Sequence, residues 1–82
     1  VLSELSFADI VIWQVPRPLY GSVHLYKYRL AHVVDGVCVM RFDNEAGKGD
    51  HIHRGAAESS YEFSTIDRLL ADFFDEVARM ET

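Results

Sequence analysis

The N-terminal part of the chain holds a run of strand-forming residues followed by a turn-forming stretch. Residues 9–16 are rich in Val, Ile and Trp and stop at Pro16, a composition that predicts a β-strand. Residues 17–22 contain proline and glycine and predict a loop. Trp13, in the middle of the predicted strand, is expected to lie in the core.

The clearest local pattern is a β-hairpin. Two strand-like runs, 23–34 and 37–43, flank the dipeptide Asp35–Gly36. Asp-Gly is favoured in type I′ turns because both central residues need a positive φ. Such a turn would pair the residues on its two sides one by one, from the turn outward.

In that register, direct cross-strand partners share a face of the sheet. The first face then carries Val33, Ala31, Cys38, Met40 and Phe42, followed by Arg29 and Lys27. The second carries Val34, Val37, Val39, His32 and Leu30, followed by Arg41, Tyr28, Asp43 and Tyr26. Both faces are apolar near the turn and polar at the open end of the hairpin. The polar segment that follows the second strand begins there, so its side chains should lie close to the polar ends of both strands. His32 lies in the apolar part, so a structural role is expected for it.

The C-terminal part predicts an amphipathic helix over residues 64–80, with Ser64 as its N-cap and Asp67 in its first turn. Its apolar residues have the i, i+3, i+4 spacing of a buried stripe: Ile66, Leu69, Leu70, Phe73, Phe74 and Val77. Residues 60–64 predict a short strand before it, so Tyr61 and Phe63 would continue the sheet. Residues 1–82 are therefore expected to form one α+β domain, a small antiparallel sheet of about four strands with one C-terminal helix packed on it.

Composition adds a few constraints to this picture. A chain of 82 residues buries only roughly 60–65% of its unfolded surface, so its core should be thin. Binding to a partner chain would add stability, and a homo-oligomer is one such possibility. No apolar run approaches the ~20 residues that span a bilayer, and the first residues lack a signal-peptide pattern. The single cysteine, Cys38, excludes an internal disulfide and fits a reducing cytoplasm, which is the expected location.

The net charge of −5 is unevenly distributed along the chain. Residues 16–54 carry six basic residues against four acids and also all four histidines, whereas residues 55–82 carry seven acids against two arginines. The middle segment is therefore the part that suits phosphate, and the C-terminal segment suits water or a basic partner.

The segment "RFDNEAGKGDHIHRG", residues 41–55, stands out as a polar, histidine-bearing loop. It fails as a P-loop, because Gly47–Lys48 is followed by glycine and Phe42 stands where the first glycine is needed. A solvated loop with salt bridges such as Asp43–Arg41 remains one alternative.

A metal site is a second alternative for this loop, because two histidines and one carboxylate suit a divalent cation. Asp50, His51 and His53 would be the ligands, and a metal-dependent nuclease would follow. A fourth ligand at structural-zinc spacing is missing, however, so neither a metal nor another cofactor is predicted.

Metal-independent cleavage of RNA is a third alternative. That reaction needs a base for the ribose 2′-OH, an acid for the leaving oxygen and cations for the phosphate. His24, His51 and His53 are the candidates for the proton transfers, since histidine takes either role near neutral pH. Phosphate contacts are predicted for Lys27, Arg29, Arg41 and Lys48, and orientation of a histidine or lysine for Asp43 and Asp50. Tyr26 and Tyr28 would stack on a base or donate a hydrogen bond.

The motifs "VIWQVPRP", "GSVHLYKYRL", "RFDNEAGKGDHIH", "YEF" and "LLADFFDEV" together resemble the TumE-like family of toxins from toxin–antitoxin modules. The resemblance covers roughly residues 10–80. Its specific part is the middle motif, which matches at Asp43 to Glu45 and at Gly47 to His53. Phe42 replaces a common tyrosine and Ile52 a common basic residue, and neither change removes a candidate catalytic group.

The resemblance implies a growth-inhibiting toxin with endoribonuclease activity. It also implies a partner, an antitoxin with a helix-turn-helix DNA-binding domain that neutralises the toxin. A non-catalytic module that binds protein or RNA is the alternative from another functional class.

Overall fold

The computed structural model of the protein describes residues 5–80. Five strands and one helix follow one another: β1 Phe7–Gln14, β2 Tyr26–Val34, β3 Val37–Glu45, β4 Gly49–Arg54, β5 Ala57–Ser60 and α1 Ile66–Met80. Neighbouring strands pair antiparallel in the order β1-β2-β3-β4-β5. The predicted α+β class is confirmed, with five strands in place of about four.

The turn between β2 and β3 lies where the sequence predicts it. Asp35 and Gly36 have φ angles of 53° and 82°, the positive values that a type I′ turn requires. The first two pairs, Val34 with Val37 and Val33 with Cys38, follow the expected register.

Beyond those two pairs the predicted register is wrong, because a β-bulge follows Val33. Val39 is the extra residue, and His32 pairs with Met40 instead of with Val39. Every later residue of β3 is displaced by one position relative to β2, so that Leu30 pairs with Phe42. A shift of one residue exchanges the two faces of a strand, which corrects the predicted grouping of side chains.

The observed register gives the sheet two chemically different faces. One, which we call the helix face, forms the core with α1 and contributes Tyr28, Leu30, Met40, Phe42 and Ile52. The other, which we call the open face, carries Phe7, Asp9, Val11, Trp13, Lys27, Arg29, Arg41, Asp43, His51, His53 and Glu58. Within residues 5–80, the one helix packs on the helix face.

Helix α1 is held to the sheet by its apolar side. Leu69 and Phe73 are fully buried, and the Phe73 ring meets the edge of Phe42 at a centroid distance of 5.8 Å. The N-cap is Thr65 and not the predicted Ser64, because Thr65 Oγ1 accepts the backbone N–H of Arg68 at 3.1 Å.

The two ends of the sheet differ from the sequence prediction. The last strand is Ala57–Ser60, so Tyr61 and Phe63 leave the sheet and pack against the core, although the Tyr61 N–H still donates to the Asp50 carbonyl. At the other end β1 is an edge strand. Trp13 therefore points out from the open face with 49% of its surface exposed, and its predicted core position is wrong.

The polar segment 41–55 is mostly strand and not loop. β3 runs through Glu45 and β4 starts at Gly49, so only residues 46–48 form the turn. The loop after β1 folds back onto this turn, and the Gly47 N–H donates to the Tyr20 carbonyl at 2.6 Å. This contact brings residues 20–25 next to the start of β4.

Candidate functional site

The centre of the open face holds a pair of histidines, His51 and His53 of β4. Alternate residues of a strand share a face, so the two rings lie side by side with their centroids 6.3 Å apart. The register places Asp43 of β3 opposite His51 and Glu58 of β5 opposite His53. We call His51 and His53 the histidine pair.

A carboxylate lies on each side of the histidine pair. On the β3 side, Asp43 Oδ1 lies 3.5 Å from Nε2 of His53, and Oδ2 of the same residue accepts a hydrogen bond of 2.8 Å from Arg41 Nε. Burial lowers the pKa of the Arg41 guanidinium, but the hydrogen bond to Asp43 and its charge outweigh burial and raise the pKa overall. Asp43 therefore lies between the permanently charged guanidinium of Arg41 and the ring of His53.

On the β5 side, Glu58 approaches both histidines. Its Oε2 lies 3.2 Å from Nδ1 of His51 and 3.7 Å from Nε2 of His53. The other nitrogen of His51, Nε2, meets the backbone carbonyl of Lys48, to which it can only donate. Both ring nitrogens of His51 thus face oxygen atoms, Nε2 in a hydrogen bond and Nδ1 in a buried contact that forms none.

A second polar cluster lies on the helix face and uses different predicted residues. Nδ1 of His24 accepts the backbone N–H of Tyr26 at 3.1 Å, so the ring proton sits on Nε2. Nε2 then donates to Asp50 Oδ2 at 2.9 Å, and the hydroxyl of Tyr28 donates to the same oxygen at 2.6 Å. The ring of His24 also packs 4.0 Å, centroid to centroid, from that of Phe63.

This second cluster is largely buried. The side chains of His24 and Asp50 are only 12% and 10% exposed, and Tyr28 is fully buried. Burial, followed by the hydrogen bond to Asp50, raises the pKa of the Tyr28 hydroxyl far above its usual 10.0. All hydrogen-bonding positions of the His24 ring are taken, so the cluster ties the loop after β1 to the start of β4.

The structure therefore divides the residues that the sequence grouped together. Asp50 precedes His51 in the strand, so strand alternation sends its side chain to the helix face and away from the histidine pair. Asp50, His51 and His53 accordingly do not form the three-ligand metal site weighed as an alternative. Within residues 5–80, no group of three His, Cys, Asp or Glu side chains is arranged to hold a metal ion.

The predicted cations lie around the histidine pair. Arg29 and Arg41 are on the open face, each near an acid: Arg29 lies 3.3 Å from Asp9 and Arg41 forms the anticipated salt bridge with Asp43. Lys27 is on the same face and donates from Nζ to the backbone carbonyl of Asn44 at 2.7 Å. Lys48 is exposed in the β3–β4 turn.

Sequence reasoning missed Glu58, the acid nearest to His51. A signal for it was present, since Gly55–Ala56 separates two short runs and can form a two-residue turn. Pairing outward from that turn places residue 54 opposite 57 and therefore His53 opposite Glu58, as observed. β5 was not predicted as a strand because its composition is polar.

Comparison with known proteins gives one match. A family model described as Toxin TumE matches residues 1–81. No curated protein and no solved structure matches the chain. None of the helices within residues 5–80 has the length and apolar character required to cross a membrane.

Proposed function

This chain belongs to the TumE toxin family, the toxins of toxin–antitoxin modules, and we propose that it inhibits growth by cleaving RNA at the histidine pair of the open face. The observation that carries the proposal is the placement of His51 and His53 side by side, each within 4 Å of a carboxylate. Two ionisable rings beside each other provide one proton acceptor and one proton donor, which is what cleavage of a phosphodiester by a ribose 2′-OH requires.

The proposed reaction assigns one role to each histidine. His53, oriented by Asp43, takes the proton of the 2′-OH, and the 2′ oxygen then attacks the adjacent phosphorus. The bond from phosphorus to the 5′ oxygen breaks, and His51, acting as the protonated acid, donates to that oxygen the Nε2 proton that otherwise meets the exposed carbonyl of Lys48. The products are a 2′,3′-cyclic phosphate and a 5′-hydroxyl, and one proton has moved from substrate to His53 and another from His51 to product.

The cations of the open face would stabilise the charge that gathers on the phosphate. Arg41 lies on β3, next to the histidine pair, whereas Lys27 and Arg29 lie one strand farther away on β2. Lys48 lies in the turn before β4. A preorganised cation is most effective where it faces the developing negative charge. Arg41 also keeps Asp43 in place through their 2.8 Å hydrogen bond.

Structural roles are proposed for the predicted residues on the helix face. His24, Asp50 and Tyr28 bond to one another and leave no ring position or hydroxyl proton for substrate. Tyr26 lies on the same face, where it contributes its backbone N–H to this cluster. These four residues therefore hold the β3–β4 turn and do not enter the proposed reaction.

The partner that we propose for the toxin is an antitoxin with a helix-turn-helix domain encoded beside it. The cytoplasm, where RNA and antitoxin meet the toxin, is the proposed location. The protein encoded by the neighbouring reading frame should restore growth when it is co-expressed, and it should copurify with the toxin.

An assay of RNA cleavage with the purified protein tests the chemistry. We expect mixed cellular RNA to be cleaved equally with and without EDTA, and the fragments to end in 2′,3′-cyclic phosphate. His51→Ala and His53→Ala should each reduce cleavage by about 10²–10⁴-fold, the usual contribution of an acid or base. Arg68→Ala, on the exposed side of α1, is the matched control and should cleave normally.

Three results would contradict the proposal. Cleavage that EDTA abolishes would indicate a metal-dependent nuclease. Full activity of either histidine variant would remove that residue from the reaction. Toxicity without cleavage of any RNA would favour a module that binds and blocks its target.

A further inference from the structure

The tyrosines that the sequence put forward for base stacking do not lie on the open face. Tyr28 is fully buried, and Tyr26 lies on the helix face. Two other aromatic side chains are exposed on the open face instead: Phe7, at 55%, and Trp13, at 49%. Both belong to the edge strand β1.

Trp13 stands next to a cation whose charge is not neutralised. It pairs directly with Lys27 of β2, so the indole and the lysine side chain lie next to each other on the open face. The Lys27 ammonium donates to a backbone carbonyl, and within residues 5–80 it forms no ion pair with a carboxylate. Two pairs further along the strands, and so on the same face, Val11 pairs with Arg29.

We propose that single-stranded RNA lies across the open face, with one base stacked on Trp13 and a neighbouring phosphate on Lys27. This inference rests on RNA being the substrate of the proposed function, and it names the strand that carries the RNA to the site. Bases stack on aromatic side chains in single-stranded RNA recognition, with little dependence on sequence, while adjacent cations follow the backbone. Phe7, farther along β1, offers a second stacking surface.

The distance to the histidine pair fits this path. β1 and β4 are separated by three strand spacings of about 4.8 Å, so Trp13 lies on the order of 14 Å from the row of the histidines. The side chains between them include Lys27, Arg29 and Arg41. An extended strand that starts at Trp13 would therefore cross cations before it reaches His51 and His53.

Charge favours RNA over an apolar protein segment as the occupant. An apolar edge strand such as β1 can also pair with a second copy of the chain. The unneutralised ammonium beside the indole would be left without an anion in such a dimer, whereas a phosphate satisfies it. The helix, on the opposite side of the sheet, carries most of the acids of the C-terminal segment, so the open face is the side from which a polyanion is less repelled.

Trp13 is the only tryptophan of the chain and therefore reports on its own environment. The probe is an RNA oligonucleotide of roughly ten nucleotides, within the usual size of single-strand sites, with 2′-O-methyl groups that prevent cleavage. We expect saturable quenching of the Trp13 fluorescence, with an affinity that falls as salt rises.

Labelled oligonucleotide and fluorescence anisotropy then compare variants. Trp13→Ala should weaken binding about 5- to 100-fold, the equivalent of one stacked base, while Trp13→Phe keeps most of the affinity. Lys27→Ala should weaken binding and lower the slope of the salt dependence by about one charge. Phe74→Ala is the matched control, because Phe74 is 48% exposed but lies on α1.

Each result decides for or against the proposal. Unchanged RNA binding by Trp13→Ala, or an absence of Trp13 quenching, overturns the proposal. Trp13 fluorescence that changes with protein concentration alone also overturns it, because it would identify a second copy of the chain on β1. If natural RNA is cleaved but the affinity for RNA does not depend on Trp13, this inference fails and the proposed nuclease stands. If binding depends on Trp13 but no RNA is cleaved, the RNA surface stands and the nuclease fails.

Discussion

Nε2 of His24 donates a hydrogen bond of 2.9 Å to Asp50 Oδ2 across 26 residues of chain, on the face of the sheet away from the histidine pair. We predict that His24→Ala lowers the free energy of unfolding by about 1–3 kcal/mol, because a nearly buried carboxylate loses a donor. His24→Gln, which keeps an N–H donor, should recover part of this loss. Thermal unfolding measures both, and each kcal/mol corresponds to roughly 4–8 °C in a domain of this size.

The same measurement on His51→Ala is the contrast, since its ring is on the open face. We expect its melting temperature to stay close to that of the wild type. A His24→Ala protein that is fully stable but inactive would instead return His24 to the reaction.

Glu58 is predicted to assist the histidine pair. Its Oε2 lies 3.2 Å from His51 Nδ1 and would stabilise the protonated ring that acts as the acid. Glu58→Gln removes the charge and should reduce kcat for RNA cleavage by about 10-fold, less than the loss of the acid itself would, with KM little changed. Glu62→Gln, another exposed acid near the C-terminal end of β5, is the control, and equal kcat in the two variants would exclude a role for Glu58.

Acid should weaken the attachment of α1 to the sheet. Arg54 donates two hydrogen bonds, of 3.1 and 2.9 Å, to the two carboxylate oxygens of Glu76. The hydrogen bond from Arg54 lowers the pKa of Glu76 from its usual 4.5, and partial burial opposes this effect without reversing it. A carboxyl group with a lowered folded-state pKa adds stability above its unfolded pKa, and this stability is lost as the pH falls through the folded value.

The variant Glu76→Gln tests this pH dependence. It should be less stable than the wild type by about 0.5–1 kcal/mol at pH 7, a modest value because Arg54 is 44% exposed. Well below pH 4 the wild-type carboxyl is also neutral, so the two urea unfolding curves should coincide. A difference that persists undiminished in acid would show that the charge of Glu76 is not the cause.

We predict that the β2–β3 turn requires glycine at position 36 because of its backbone conformation and not for lack of space. Its φ is 82°, and a Cβ added there would meet nothing within 4 Å. Gly36→Ala should therefore cost about 1–2 kcal/mol of stability, the usual penalty of a left-handed conformation. Asp35→Asn, at a φ of 53° that asparagine tolerates, is the control and should unfold at nearly the wild-type urea concentration.

Local signals in the sequence were sufficient for the β2–β3 hairpin, for the helix and for the family, but not for β4 and β5, whose polar residues are typical of loops. Asp35–Gly36 predicted its turn because a two-residue I′ turn depends on the φ preferences of those two residues. The spacing of Leu69 and Phe73 predicted the buried side of α1, because helical periodicity is a property of neighbouring turns. The motif around Asp43 and the histidine pair identified the family without any knowledge of its three-dimensional arrangement.

The arrangement of the site depended on the tertiary structure. One bulge residue, Val39, reversed the expected faces of β3 relative to β2, and no local preference announces an insertion that pairing and packing decide. His24 found its partner Asp50 only because the loop after β1 folds onto the β3–β4 turn, while Trp13 became exposed because β1 is at the edge of the sheet. The sequence by itself thus determined the hairpin, the helix and the candidate chemical groups, whereas long-range packing decided the polar strands and which of those groups lie together on one face.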